Sequence, residues 1–464
     1  MSKPNAVRVA ATSARIIAGL AVSTAVVAGA IVSVPLTWPT VTHTPANVEV
    51  TPISGDIFLT CAGPLRALGR DPLNAALITA DAWPEITVGA ADGVRVEEHQ
   101  LRMPELAEAS EQTMYIGRSD AREAVEIAAA ESVSVMGPDL AGFAASACRA
   151  PSMESWIVGG AASTGTSDIV LIANPSDVTA TASFTVYGST GPTRTSDIVL
   201  APRTQVSVPL AAGAAGESTP IVRVTATGAP LRTMLQSSLI RVLDPSGIDL
   251  QDGTGQPQRS QVLAGVQVLV EATDEASMTI VRLMAPSNDT NVRLTTRTAD
   301  GARVVGDEIS IDLRAGEPVE VDLPGLPVGV YSVEIEADEP VVAAAWQSTG
   351  VGAGVDYAWM TPAPTITEPT TFAVPRGPAA TLHLRNNTDA DTVVTLTDFA
   401  NGDEREVVVG AQSAALIQVD SDAAYGLSTT GPVHAAITMA TPGAIAGWPV
   451  WPSAASSSAV TVYP

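Results

Sequence analysis

With 49 acids against 24 Lys and Arg over 464 residues, the chain has a formal charge of −25, which argues against nucleic acid or an anionic lipid surface as partner. The length allows three or four domains, each able to bury its own core, and two isolated cysteines without neighbouring histidines cannot supply a four-ligand zinc site. Plentiful Gly and Pro among Val, Thr and Ala, with few helix-period stretches, predict an all-β fold of many short strands joined by turns.

Residues 1–15 carry Lys3, Arg8 and Arg15 and no acid, and Ile16 to Val34 is an uncharged apolar run. A helix of about twenty such residues crosses a bilayer, and the positive flank sets a cytoplasmic tail (1–15) before a transmembrane signal-anchor (16–36), with the rest extracytoplasmic. Cleavage at Ala28-Gly29-Ala30 is the alternative; the apolar run continuing to Trp38 favours the uncleaved anchor. Residues 37–51 are rich in Pro and Thr and read as an extended spacer.

Residues 52–155 read as an N-terminal module of mixed character. Leu65–Ala80 and Glu123–Ala130 suit short helices or strands, and Asp139–Ala147 has a helical look. Both cysteines fall here, and in an oxidising exterior Cys61 and Cys148 are expected to form a disulfide; a loop of that length would stabilise the module by roughly 4 kcal/mol.

A strand-turn-strand pattern then occurs three times. Asp168–Ile172 precedes the turn Asn174-Pro175-Ser176-Asp177 and the alternating strand Ser183–Tyr187, a hairpin-like pair. The order returns from Thr279, where Val281 and Leu283 precede Pro286-Ser287-Asn288-Asp289, with Val292 and Leu294 after them. It returns again from Thr381, where Leu382 and Leu384 precede Asn386-Asn387-Thr388-Asp389. Copies starting near 168, 279 and 381 have the size of immunoglobulin-like β-sandwiches, here 156–262, 263–366 and 367–464 in tandem. The junctions Asp244–Ser260 and Thr361–Thr371 are turn-rich or Pro-rich, as linkers are.

Residues able to carry chemistry are sparse. His43, His99, His383 and His434 are far apart in sequence, and those in repeat strands should face outward. No nucleophile elbow, zinc-protease helix or phosphate loop is present. Acid pairs such as Asp120 with Glu123, or Glu97 with Glu98, would serve glycan hydrolysis only at the right separation. Asp244, Asp249 and Asp252 lie among glycines as calcium ligands do, but lack the EF-hand order, so a plain linker is preferred. Trp346, Trp359, Trp448 and Trp451 are candidate glycan-stacking platforms, although tryptophans near strand ends more often plug a core. No catalytic residue, metal ligand or cofactor site is assigned.

Five motifs together, Cys61-Ala62-Gly63-Pro64-Leu65, Cys148-Arg149-Ala150-Pro151, Trp156-Ile157-Val158-Gly159-Gly160, Leu171-Ile172-Ala173-Asn174-Pro175 and Val186-Tyr187-Gly188, give a sequence that resembles an actinobacterial family of exported, membrane-anchored proteins of unknown function. The resemblance implies a high-GC Gram-positive source and work in the cell envelope, since the family is often encoded near a glycosyltransferase. It implies no activity, cofactor or catalytic residue. The expected role is a non-enzymatic envelope scaffold or interaction module, with an envelope protein or a cell-wall glycan as partner. A carbohydrate-binding array is the alternative, and a glycan hydrolase a more distant one.

Overall fold

The computed structural model describes residues 5–33, 48–50, 56–70, 73–74, 77–106, 110–118, 125–195, 197–271, 279–299, 308–323, 325–453 and 460–462. Lys3, Trp38, His43, Asp120, Glu123 and most of the spacer lie outside these residues. The chain forms two compact units, residues 1–51 with 459–464, and residues 52–458.

In the first unit a helix spans Asn5–Ser33, starting earlier than the apolar run. Thr12–Ile31 has a mean hydropathy of 1.9 and is long and apolar enough to cross a membrane. Two of its hydroxyls bond within the helix, Ser23 Oγ donating to Gly19 O at 2.9 Å and Thr24 Oγ1 to Leu20 O at 2.7 Å. Val48–Val50 pairs antiparallel with Val460–Val462.

Among its described residues the second unit is all-β apart from one helical turn, Ala211–Ala214. Of the two options open for Leu65–Ala80 and Glu123–Ala130 the described residues take the strand, Arg66–Leu68 pairing with Ile78–Ala80, and Asp139–Ala147, helical in look, falls on the strand Ala141–Cys148 paired with Ile127–Met136. The Ala-rich run at 127–133 has helical propensity, but it is buried on both faces. Ala128 and Ala130 meet Ala373 and Ala424, while Ala129 packs beside Cys148, so small side chains serve close sheet packing and tertiary context overrides propensity.

Three two-sheet cores follow, and the strand-turn-strand repeat organises all of them. Its two strands do not pair with each other as a hairpin would. Ile169–Asn174 pairs with Thr204–Pro209 and Arg232–Arg241, whereas Ala180–Gly188 pairs with Gly191–Arg194 and Ile221–Thr227 in the facing sheet. The second copy repeats this. Thr279–Met284 lies between Val319–Asp322 and the late half of Gly329–Ser348, while Thr290–Thr298 lies between Ile309–Leu313 and that strand's early half. In the third, Ala380–Arg385 pairs with Ala414–Val419 and Val433–Thr441, and Thr392–Asp398 with Glu404–Val409 and Ala423–Thr429. The turn is therefore a sheet-to-sheet corner, and each core fills with the inward members of its strands, Val292, Leu294, Tyr331, Val333 and Ile335 in the second.

The modules are not strung on linkers. The stretch expected as the first junction forms strands Asp244–Asp252 and Gln258–Val268, and the second holds Thr365–Ile366 and the start of Thr370–Val374. Strands Arg95–Met103, Ser110–Arg118 and Ile57–Thr60 of the first module extend a sheet of the first sandwich through a parallel bridge, Thr204 opposite Arg102.

Candidate functional site

Four strands, one from each module, converge on a single carboxylate. Asp356 enters Tyr357–Met360 of the second sandwich, is fully buried, and accepts three backbone amides: Ile248 N on Oδ1 at 3.1 Å, and Phe143 N and Ile445 N on Oδ2 at 2.9 and 3.2 Å. Those amides belong to the first sandwich, the first module and the third sandwich. Gly142 and Gly247 make the approach possible, since a Cβ on either would stand 2.7 Å from Asp356 Oδ1. Burial pushes the Asp356 carboxyl up to about 7, against the pull of the amides.

Neighbouring interior charges do the same kind of work. Asp168 accepts Ala161 N at 2.7 Å, Ser238 N at 3.0 Å and Ser237 Oγ at 3.0 Å, and burial lifts it to about 6. Ser237 also shares a 2.7 Å hydrogen bond with the buried Tyr357 hydroxyl. Asp249 accepts Trp359 N at 2.9 Å and is raised well above the usual carboxylate range by burial. Glu131 holds the amides of Ala62 and Gly63 and sits near 7 for the same reason. Arg66 is buried within hydrogen-bond reach of Ala62 O and Pro64 O, so the Cys61-to-Leu65 motif is a loop sewn into the interior. Buried carboxylates that each accept backbone amides act as pins between segments.

Cys61 and Cys148 are joined by a disulfide. With Glu131 they make the one group of metal-ligating type among the described residues, but the sulfurs bond each other and the carboxylate is held by amides, so the set does not fit a resident ion. The four tryptophans do not form a solvent-facing row. Trp359 and Trp448 are buried, and Trp346 is half-buried opposite Trp359 in register, 6.1 Å from the Tyr357 ring. Trp451 is half-buried under the Arg149 guanidinium, 3.5 Å from its ring centre.

Several other sequence expectations are corrected. His383 and His434 face inward, because their strands are central and covered by the second sandwich. His383 Nε2 meets Thr438 Oγ1 at 2.5 Å, and burial draws its pKa down to about 4, so it stays neutral. Asp244 is exposed while Asp249 and Asp252 are buried within one strand, Asp252 between Arg232 and Arg149, so the three do not gather around a cation. Glu97 lies on the surface against Arg118, whose guanidinium holds its carboxyl below the usual range.

Sequence reasoning missed a cleft of about 500 Å³ between the first and second sandwiches. Trp156 and Tyr187, ring centres 5.5 Å apart, lie at its floor beside the Glu154–Arg223 ion pair, with Asn288 and Gln256 on the rim. Trp156 stood in one of the quoted motifs, but its partners come from distant strands. Residues 105–420 match the model of a family of unknown function, DUF5719. The chain belongs to that family. DUF5719 thus covers the first module from its second half and the sandwiches to within the third, including Asp356 and two of the three amides it holds, those of Phe143 and Ile248. No curated protein matches the chain.

Proposed function

We propose that the chain is a single-pass envelope protein of an actinobacterial type, its N-terminal helix an uncleaved anchor with Lys3, Arg8 and Arg15 on the cytoplasmic side, and residues 52–458 an extracytoplasmic, non-enzymatic docking scaffold. The observation that carries this reading is the use of Asp356: a buried carboxylate tying four modules stiffens a body whose broad outer faces remain for partners. Buried acids engaged by backbone amides and the Cys61–Cys148 bridge favour a rigid exported body over a catalytic one. Protease added to intact, wall-stripped cells should remove the exterior part, and reciprocal cross-linked capture of the full chain should recover a defined envelope protein. A second reading, glycan binding, is favoured by the aromatic floor and polar rim of the Trp156–Tyr187 cleft. Retention on purified wall polysaccharide alone, lost in Tyr187→Ala, would replace the scaffold with that reading.

A further inference from the structure

The cleft between the first module and the third sandwich, about 270 Å³, has an unusual chemical balance. Its walls are apolar, with Ile57, Leu59, Ile127, Phe372 and Val450. Two indole nitrogens on its lining, Trp448 Nε1 and Trp451 Nε1, are buried and meet no acceptor among the described residues, although Trp448 is 2% exposed. Buried N–H groups are nearly always paired, so two orphans in one cleft require an explanation.

Charge supplies it. Arg149 lines the cleft, stacked on Trp451, and Arg149 and Arg232 share a single buried carboxylate, Asp252. The nearby Glu131 is held by the amides of Ala62 and Gly63. Among the described residues Arg149 uses Nη1 for its acceptors, Asp252 Oδ2 at 3.4 Å and Gly253 O at 3.2 Å. Burial draws its pKa down to about 9 against the pull of Asp252, with the neighbouring Arg232 pushing the same way as burial. A cationic end with two spare N–H donors above a hydrocarbon wall is complementary to one kind of molecule.

We propose that this cleft binds a short-chain anionic amphiphile, its head accepting from Trp448 Nε1, Trp451 Nε1 and Arg149 and its tail along Ile57, Leu59, Ile127 and Phe372. At about 30 Å³ per water-sized group the space holds roughly nine such groups, which suits an octyl chain. The head is a carboxylate or a phosphate monoester, whose anionic oxygens share this chemistry. The proposal is independent of the scaffold reading.

The test uses the full chain in nanodiscs and a photoactivatable diazirine analogue of octanoate, with cross-linked peptides mapped by mass spectrometry. Label is expected in the segments around Ile127, Cys148, Phe372 and Trp448. Octanoate and octyl phosphate should compete, the stronger competitor naming the head, and octyltrimethylammonium should not. Trp448→Phe should raise the octanoate needed by about tenfold, the loss of one charge-assisted hydrogen bond. Ala147→Phe, filling the cleft, should abolish the label. In both variants resistance of the buried Cys61–Cys148 bridge to mild reductant reports folding. Absence of label there in a chain whose bridge resists mild reductant, equal competition by octyltrimethylammonium, or label unchanged in folded Ala147→Phe overturns the proposal.

Discussion

Asn174 and Asn386, at the corners of the first and third sandwiches, make the same five hydrogen bonds. Asn174 Nδ2 donates to Val178 O, Leu200 O and Ala201 O, and its Oδ1 accepts Ser176 N and Oγ. Asn386 Nδ2 donates to Ala390 O, Val409 O and Gly410 O, and its Oδ1 accepts Thr388 N and Oγ1. Each side chain closes its own turn and ties it to the end of a neighbouring strand, which is what lets the chain leave one sheet for the other at a fixed angle. The second copy has no asparagine there; Asp289 Oδ1 accepts Ala315 N at 2.8 Å instead, and Asp391 does the same for Ala411 N in the third.

Replacing either asparagine by Ala should therefore destabilise its sandwich by about 3 kcal/mol, since three carbonyls and an amide lose their partner together. The two losses should add, the sites being in separate cores. Asp289→Ala, at an exposed corner, should cost about 1 kcal/mol. Urea midpoints of the three variants check the order; an Asp289 effect equal to that of Asn174 would contradict it.

Asp356→Ala should loosen all four modules at once, because Phe143 N, Ile248 N and Ile445 N would lose one shared acceptor in an interior that water does not reach. The expected loss is roughly 3–5 kcal/mol, with new protease cleavage at several module junctions. Asp356→Asn should be milder but still destabilising, because its NH₂ would face at least one of those amides. Melting within a degree or two of the parent for the Ala variant would refute the tie.

This tie marks the limit of what the sequence could show. Alternating strands such as Val292–Leu294 and Tyr331–Val333–Ile335 were legible because one face of each is a core face. The stretch from Asp244 to Asp252 has a linker's composition, acids and glycine predominating, yet it is an interior strand. Gly247 makes room for Asp356, Asp249 receives an amide from another module, and Asp252 neutralises Arg232. Composition signals exposure only when a segment's partners are solvent, and here they are residues a hundred positions away. His383 was misjudged for the same reason, its covering surface being supplied by Gly265 of the preceding sandwich.

Removing the disulfide with Cys61→Ala and Cys148→Ala should cost on the order of 4 kcal/mol, concentrated in the first module, because the bridge closes a loop across 87 positions. Hydrogen exchange should accelerate in Ile57–Thr60 and Ile127–Cys148 before it does in the third sandwich's Thr392–Val409. Both sulfurs are buried, so mild reductant should leave the native bridge intact until the chain is unfolded. Two alkylatable thiols in the native protein would contradict this.

The pH dependence of stability has a defined direction. Glu131 and Asp356 sit near 7 and Asp168 near 6, each raised from an ordinary value near 4 by burial, so the folded chain retains protons that the unfolded chain has released. Their stabilising contribution is complete below about pH 4 and fades as pH rises through 6 and 7, levelling off near 8. His383 acts in the opposite sense at the acid end: drawn down to about 4, it favours the folded state above its ordinary value and loses that benefit as the pH falls through 4. Between about pH 4 and 6 the three carboxyls outweigh the one histidine, so the melting temperature should be highest near pH 4 and decline towards pH 8 by an amount corresponding to several kcal/mol. Glu131→Gln combined with Asp356→Asn should flatten the decline while lowering the peak. A melting temperature that climbs steadily from pH 5 to 8 would mean that the interior carboxylates are ionised in the folded protein, their amide bonds outweighing burial.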